Sequence, residues 1–197
     1  MPLLDSTRSI LVVIDFQGRL VQLVHRPALV LEAARRLLRL AELFAVPVVL
    51  TEQYPKGIGP TEASIRAAFD ALSTPKYFLE KTAFGCCGDP GFEPLLRAAR
   101  PSLHTQQRQI VIAGIEAHVC VLQTVLELLA TGHQVHLCWD AVSGRGEEYR
   151  QHALDRMAAA GATITNHESV AFEWARDKKH PQFKALSALM KEGQPQG

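Results

Sequence analysis

A single α/β domain is predicted: three layers, α/β/α, doubly wound on a mainly parallel six-stranded sheet. Three observations predict it. Six short runs rich in β-branched and apolar residues alternate with longer amphipathic runs along the 197 residues. The first run, "SILVVID" at 9–15, is continuously apolar, as a strand covered on both faces must be. No repeat, low-complexity segment or linker divides the chain, so one domain is expected over 1–197, with its core over 8–190.

Each element has its own justification. After the strand at 9–15, residues 28–44 read as a helix, because Val30, Ala33, Ala34, Leu37, Ala41 and Phe44 recur at helical spacing. Leu31, Leu38 and Leu40 fall outside that stripe, which means deep burial or a subunit contact. "VPVVLTEQ" (46–53) is the second strand, and "TEASIRAAFDAL" (61–72) a short helix with Thr61 as its expected N-cap. "KYFLEK" (76–81) is a weaker third strand, and 89–100 contains another short helix. "QIVIAG" (109–114) is the fourth strand. Residues 118–131 form a helix, with Val121, Leu122, Val125, Leu128 and Leu129 on one face and Gly132 as terminator. "HQVHLCWDAV" (133–142), a helix over 147–160 and "GATITN" (161–166) follow. Helical pieces are expected over 168–191, and the final "EGQPQG" is expected to fray.

The formal net charge is +1, so no long-range field recruits nucleic acid or a membrane surface. "DKKH" at 177–180 is ordinary solvated surface. No apolar run approaches the roughly 20 residues needed to span a bilayer, and "MPLLDSTRS" lacks the charged head and apolar core of a secretory signal. The four cysteines contain no C-x-x-C pair, and adjacent Cys86 and Cys87 are poorly placed to bridge one another. A reduced, cytoplasmic protein is expected.

In a doubly wound sheet, ligands bind beyond the carboxyl ends of the strands, near the switch in strand order. That rule selects Asp15 after the first strand, Glu52 at the second, Lys81 at the third, Gly114 to Cys120 after the fourth, and Asp140 and Ser143 at the fifth. Singly, Asp15 reads as a cap, Lys81 as surface and Cys120 as core. Together they bring an acid, a cation and a thiol to one edge. Cys120 falls at the start of the 118–131 helix, whose free N–H groups and dipole are expected to lower a thiol pKa from about 8.5. The turn "GIEAHVC" presents backbone N–H groups beside the sulfur, as an oxyanion requires. His118 and Cys120 do not face each other in a helical turn, so His118 is expected to line the pocket or its rim. Phe16, Gln17, Tyr54 and Phe84 are placed either to line a small apolar pocket or to pack. "GCCGDPG" (85–91) lacks the order of a phosphate-binding loop and reads as a loop near the pocket, with Cys86 and Cys87 as candidate oxidation sites. His133 and His136, three apart in a strand, point to opposite faces and read as structural.

"VVIDFQ", "EKTAFG" and "IVIAGIEAHVCVLQTVLELLATGHQVHLCWDAVSGR" resemble the isochorismatase-like cysteine hydrolase family along nearly the whole chain. "TEQYPKGIGPT" and "HPQFK" are similar, more narrowly, to the isochorismatase domain-containing group of type 2. The resemblance implies a catalytic triad of Asp15, Lys81 and Cys120, a non-proline cis peptide at Ile115–Glu116, and an oxyanion hole made by the backbone N–H groups of Glu116 and Cys120. It implies hydrolysis of a small amide or related acyl compound through an acyl-enzyme intermediate. It also implies a homo-oligomer, a dimer or larger. Isochorismatase itself lacks the cysteine; nicotinamidases add a metal held by an Asp and clustered His after the second strand. Here "TEQYPKGIGP" offers Glu52 but no His, so no metal and no cofactor is expected. The rival readings are a catalytically silent member that binds a metabolite or a protein partner, and a redox sensor using Cys86, Cys87 or Cys120.

Overall fold

A computed structural model describes residues 2–192. The chain runs β1 (Ser9–Ile14), α1 (Leu20–Leu23), α2 (Pro27–Leu43), β2 (Val48–Gln53), α3 (Pro55–Ile58), α4 (Ala63–Asp70), β3 (Lys76–Lys81), α5 (Phe92–Ala99), β4 (Gln109–Ile115), α6 (Leu122–Ala130), β5 (Gln134–Ser143), α7 (Glu147–Ala159), β6 (Thr163–Thr165), α8 (His167–Ala175) and α9 (Phe183–Lys191). Short 3₁₀ turns lie at Cys86–Gly88 and Thr105–Gln107, and a π-helical turn at Ala117–Val121 leads into α6.

The six strands form one parallel sheet in the order β3-β2-β1-β4-β5-β6. The order reverses between β1 and β4, so the residues leaving those two strands flank the crevice. Alternation along β1 divides the core. Leu11 and Val13 pack with α2, α8 and α9, whereas Ile10, Val12 and Ile14 pack with α5, α6 and α7. Each of these side chains is fully buried, and such burial contributes about 1.5–3 kcal/mol per large apolar residue. Leu38 and Leu40 of α2 are also fully buried, so their place off the main stripe reflects a helix covered on several sides.

Several boundaries differ from expectation for local reasons. Thr61 does not cap α4. Its N–H and hydroxyl both bond to Glu52 Oε1, at 2.7 and 2.6 Å, and Glu62 caps instead, accepting from the N–H groups of Ser64 and Ile65. The helix expected over 118–131 begins as a π turn. The short α1 and α3 lie in segments that carry no long periodicity. Gly132 ends α6 as expected, with a φ of +92° that favours glycine. Glu192 is anchored by Arg39, and the rest of the expected frayed end lies outside the described residues.

β5 is the irregular strand. Ile112 pairs with Leu137 and Gly114 with Val142, so Cys138–Ala141 loop away from β4. β6 pairs only with His136–Cys138. Gly114, opposite Ile14, lets the ends of β1 and β4 close up: a Cβ there would stand 2.6 Å from Ile14 Cβ and 2.7 Å from its carbonyl oxygen. Gly114→Ala is expected to cost about 2 kcal/mol, read as a lower urea midpoint at unchanged slope.

His133 is buried just before β5, 3.6 Å from Glu93 of α5. His136 is buried opposite Val111, which faces α2, so the two histidines do point to opposite faces. Neither ring nitrogen of His136 has a hydrogen-bond partner among the described residues, and burial lowers its pKa from 6.5 to about 4. The unfolded chain therefore takes up a proton below its ordinary pKa while the folded chain does not. The group's contribution to stability is complete above 6.5 and is lost as pH falls towards 4. Urea unfolding at pH 7 and at about pH 5 should show wild type losing more stability than His136→Leu. Equal losses would clear His136 of the effect.

Candidate active site

The site begins where β1 stops. Asp15 is the first residue beyond the strand and turns left-handed, with φ +53°, a conformation that Asp tolerates better than most residues. Its N–H donates to the Thr51 carbonyl at 3.2 Å and its carbonyl accepts from Gln17 N–H at 2.8 Å. The turn brings its carboxylate over the end of the sheet.

Lys81 is the last residue of β3, two strands away with β2 between. Strands lie about 4.8 Å apart, and the long lysine stem spans that interval. Its ammonium donates to Asp15 Oδ2 at 2.6 Å, to the Phe84 carbonyl at 2.8 Å and to the Ala83 carbonyl at 3.2 Å. All three protons are thereby used. Both side chains are almost wholly buried, at 0% and 3% exposure. A buried pair survives only when its remaining hydrogen-bonding capacity is met. Here Thr51 meets part of it, its hydroxyl donating to Asp15 Oδ1 at 2.7 Å.

Cys120 arrives from β4. The Ile115–Glu116 peptide is cis, and the π turn follows it. The Glu116 carbonyl accepts from the N–H groups of Val119 and Val121, at 3.0 and 3.3 Å. The Glu116 N–H has no backbone or side-chain acceptor among the described residues. Its carboxylate accepts from Arg145 at 2.9 Å, across to the loop after β5. Thr124 Oγ1 donates to the Cys120 carbonyl at 2.7 Å.

Cys120 is 7% exposed. Burial pushes the Cys120 thiol well above its ordinary pKa. The Asp15 carboxylate raises it further through charge and hydrogen bonding, while Lys81 pulls it down. This corrects the expectation of a thiolate favoured by a helix N-terminus. The sulfur sits in a closed π turn facing a carboxylate, and desolvation outweighs the dipole. Burial and the carboxylate thus both favour the protonated thiol near the Asp15–Lys81 pair.

Other expected site residues divide into two sets. Tyr54 and Phe84 are 53% and 54% exposed, and both backbones bond to Lys81: Tyr54 N–H to its carbonyl at 2.8 Å, Phe84 carbonyl to its ammonium. The His118 ring stacks on Tyr149 at 4.9 Å, with Gly144 packed against its Nδ1. By contrast, Phe16 is buried in the core on the α2 side. Gln17 is fully buried, its amide accepting from Gln53 N–H at 2.6 Å and donating to the Gln53 and Gly59 carbonyls at 3.1 and 2.8 Å. These two hold the rim together and present nothing to a substrate. Ser143 donates to the His25 carbonyl at 2.7 Å, and Asp140 pairs with His167; neither contributes to the ion pair.

Burial also pushes the thiols of Cys86 and Cys87 up to about 12, which opposes their ready oxidation. Among the described residues no group of three or more His, Cys, Asp or Glu could hold a metal ion, and no helix is long and apolar enough to cross a membrane. A 300 Å³ hollow beside Lys81 is lined by Tyr54, Pro55, Lys56 and Asp89 among others. A larger one of 590 Å³, bounded by Leu29, Trp139 and Arg150, lies apart from the thiol. Sequence reasoning missed Thr51, Thr124 and Arg145. The one available signal was Thr51, a hydroxyl interrupting the apolar "VVL" of β2.

Known proteins agree with this architecture. The isochorismatase domain model matches residues 9–169. Human isochorismatase domain-containing protein 2 is 37% identical over 187 residues, covering 95% of this chain and 85% of its own. A Caenorhabditis elegans structure described as MAR1 ribonuclease superposes with a TM-score of 0.86 at 32% identity, covering 99% of this chain and 95% of that one. Escherichia coli YcaC, described as an octameric hydrolase of unknown specificity, gives 0.85 at 26% identity, with 97% and 90% covered. With the family model spanning most of its length, a relative 37% identical over 95% of it and the parallel sheet in place, this chain belongs to the isochorismatase family.

Proposed function

We propose that this chain is a cysteine hydrolase of a small amide or related acyl compound, with Asp15, Lys81 and Cys120 as its catalytic residues. The observation that carries the reading is the buried Asp15–Lys81 pair at 2.6 Å, with the Cys120 thiol near enough for the carboxylate to raise its pKa. A thiol held neutral by burial needs a base, and Asp15 is the base beside it.

The sulfur attacks the substrate carbonyl carbon as its proton passes to Asp15. The electron pair displaced to oxygen is received by the backbone N–H groups of Glu116 and Cys120; the unpaired Glu116 donor supports this role. The intermediate collapses, the C–N bond breaks, and Asp15 returns the proton to the departing amine. Water then attacks the thioester carbonyl, losing a proton to Asp15. The acid departs, and Cys120 recovers its proton. One water is consumed and the catalyst is restored. Tyr54, Phe84 and His118 line the approach.

Ribonuclease activity, by which the nematode neighbour is described, does not fit this site. A phosphodiester has no carbonyl to acylate Cys120, and a net charge of +1 gives nucleic acid no field to follow. Four unpaired cysteines suit the reducing cytoplasm. Assembly of identical subunits is supported by the octameric neighbour and by the hollow around exposed Leu29 and Trp139, rimmed by the Arg36–Glu32 and Arg150–Glu147 pairs. Apolar centres ringed by paired charges suit contact between copies.

Screening small amides for amine release should find a substrate for wild type. Cys120→Ala should lose turnover by roughly a thousandfold or more with an intact fold, and mass spectrometry of wild type should trap a thioester. Equal turnover by Cys120→Ala would refute the covalent route; a chain that only binds metabolites would release no amine. Sedimentation is expected to give a dimer or larger, with Trp139→Glu shifted to lower mass. A monomeric wild type would overturn the assembly.

A further inference from the structure

Thr51 sits in β2 after Val48, Val49 and Leu50, and is fully buried. A hydroxyl buried there must find a partner or cost stability. It donates to Asp15 Oδ1 at 2.7 Å while Lys81 holds Oδ2 at 2.6 Å. An ionised carboxylate only accepts, which fixes the direction of both bonds. With one donor on each oxygen the plane of the carboxylate cannot rotate, and its free lone pairs remain for the Cys120 thiol.

The same hydroxyl links the carboxylate to the nucleophile's backbone. Cys86 Sγ lies 4.0 Å from Thr51 Oγ1 and donates to its free lone pair. The Cys86 N–H donates to Thr124 Oγ1 at 2.9 Å, and Thr124 donates to the Cys120 carbonyl at 2.7 Å. A run of bonds thus passes from Asp15 through Thr51, Cys86 and Thr124 to Cys120.

We propose that Thr51 is a positioning residue for Asp15, keeping the carboxylate ionised and aimed at the Cys120 proton. This rests on the cysteine-hydrolase reading. The groups facing the carboxylate are Lys81 from β3, Cys120 from the π turn and Cys86 from the 3₁₀ turn.

The test needs no substrate. Iodoacetamide is the probe, and the rate of Cys120 alkylation is followed by mass spectrometry from about pH 5 to about pH 10. In wild type the rate should rise through an acid limb as the carboxylate becomes free to take the thiol proton, and rise again only at the alkaline end, where the thiolate itself forms. Asp15→Asn should abolish that limb. Thr51→Val removes only the hydroxyl and should displace the limb upward by about one pH unit, since an anion that loses a donor protonates more readily. Thr51→Ser should restore it, with near-ultraviolet circular dichroism unchanged throughout. A limb that stays in place in Thr51→Val, while Asp15→Asn abolishes it, overturns the role of Thr51 alone. Equal displacement in Thr51→Ser assigns the effect to packing and overturns it too. A wild-type profile with no acid limb, or one that Asp15→Asn leaves intact, overturns both this inference and the base role of Asp15.

Discussion

The contact between Asp15 and Lys81 governs the rest of the site. Removing two opposite charges from water costs several kcal/mol per ion, and their attraction repays this only when every remaining donor and acceptor is used. The chain meets that condition through features that would otherwise seem unrelated. β2 must lie between β1 and β3, because the lysine stem spans one intervening strand. Asp15 must leave its strand left-handed so that its carboxylate turns over the edge. The loop after β3 must fold back so that the carbonyls of Ala83 and Phe84 reach the ammonium. Strand order, backbone conformation and loop path are all constrained by one pair of charges.

Burial sets the state of the sulfur, with the carboxylate of the pair adding to it and the ammonium opposing it. A cysteine near a helix start is commonly read as a thiolate. Cys120 is instead buried near an anion, and both effects favour its protonated form. On the proposed mechanism the ion pair supplies both the acceptor for that proton and the positive charge that offsets the anion formed. On that proposal, the environment that keeps the thiol protonated is also the one that draws its proton away.

Much of this was legible in the sequence, because apolar periodicity and strand-end chemistry are local signals. The run 9–15 announced a covered strand, and the strand-end rule picked out Asp15, Lys81 and Cys120, which the fold brings together. The misses have physical causes. Phe16 and Gln17 flank Asp15 in the chain, but the left-handed turn sends them into the core and the rim, and no periodicity encodes that turn. Thr61 reads as a cap until Glu52, nine residues back, claims its hydroxyl. The thiol's ionisation depends on tertiary burial, which a helix-start argument cannot register. Thr51 shows only as one polar letter within an apolar word.

The irregularity of β5 carries a consequence away from the Asp15–Lys81 pair. A long strand beside a three-residue neighbour would ordinarily offer a row of bare peptide groups to other molecules. Here Trp139–Ala141 bow out of register, and the Arg150 guanidinium bonds to the carbonyls of Trp139 and Val142. Those acceptors are taken before another strand can dock, and the bowed backbone offers no straight template. The stretch of β5 that β6 leaves uncovered is thereby closed to a second sheet adding along it.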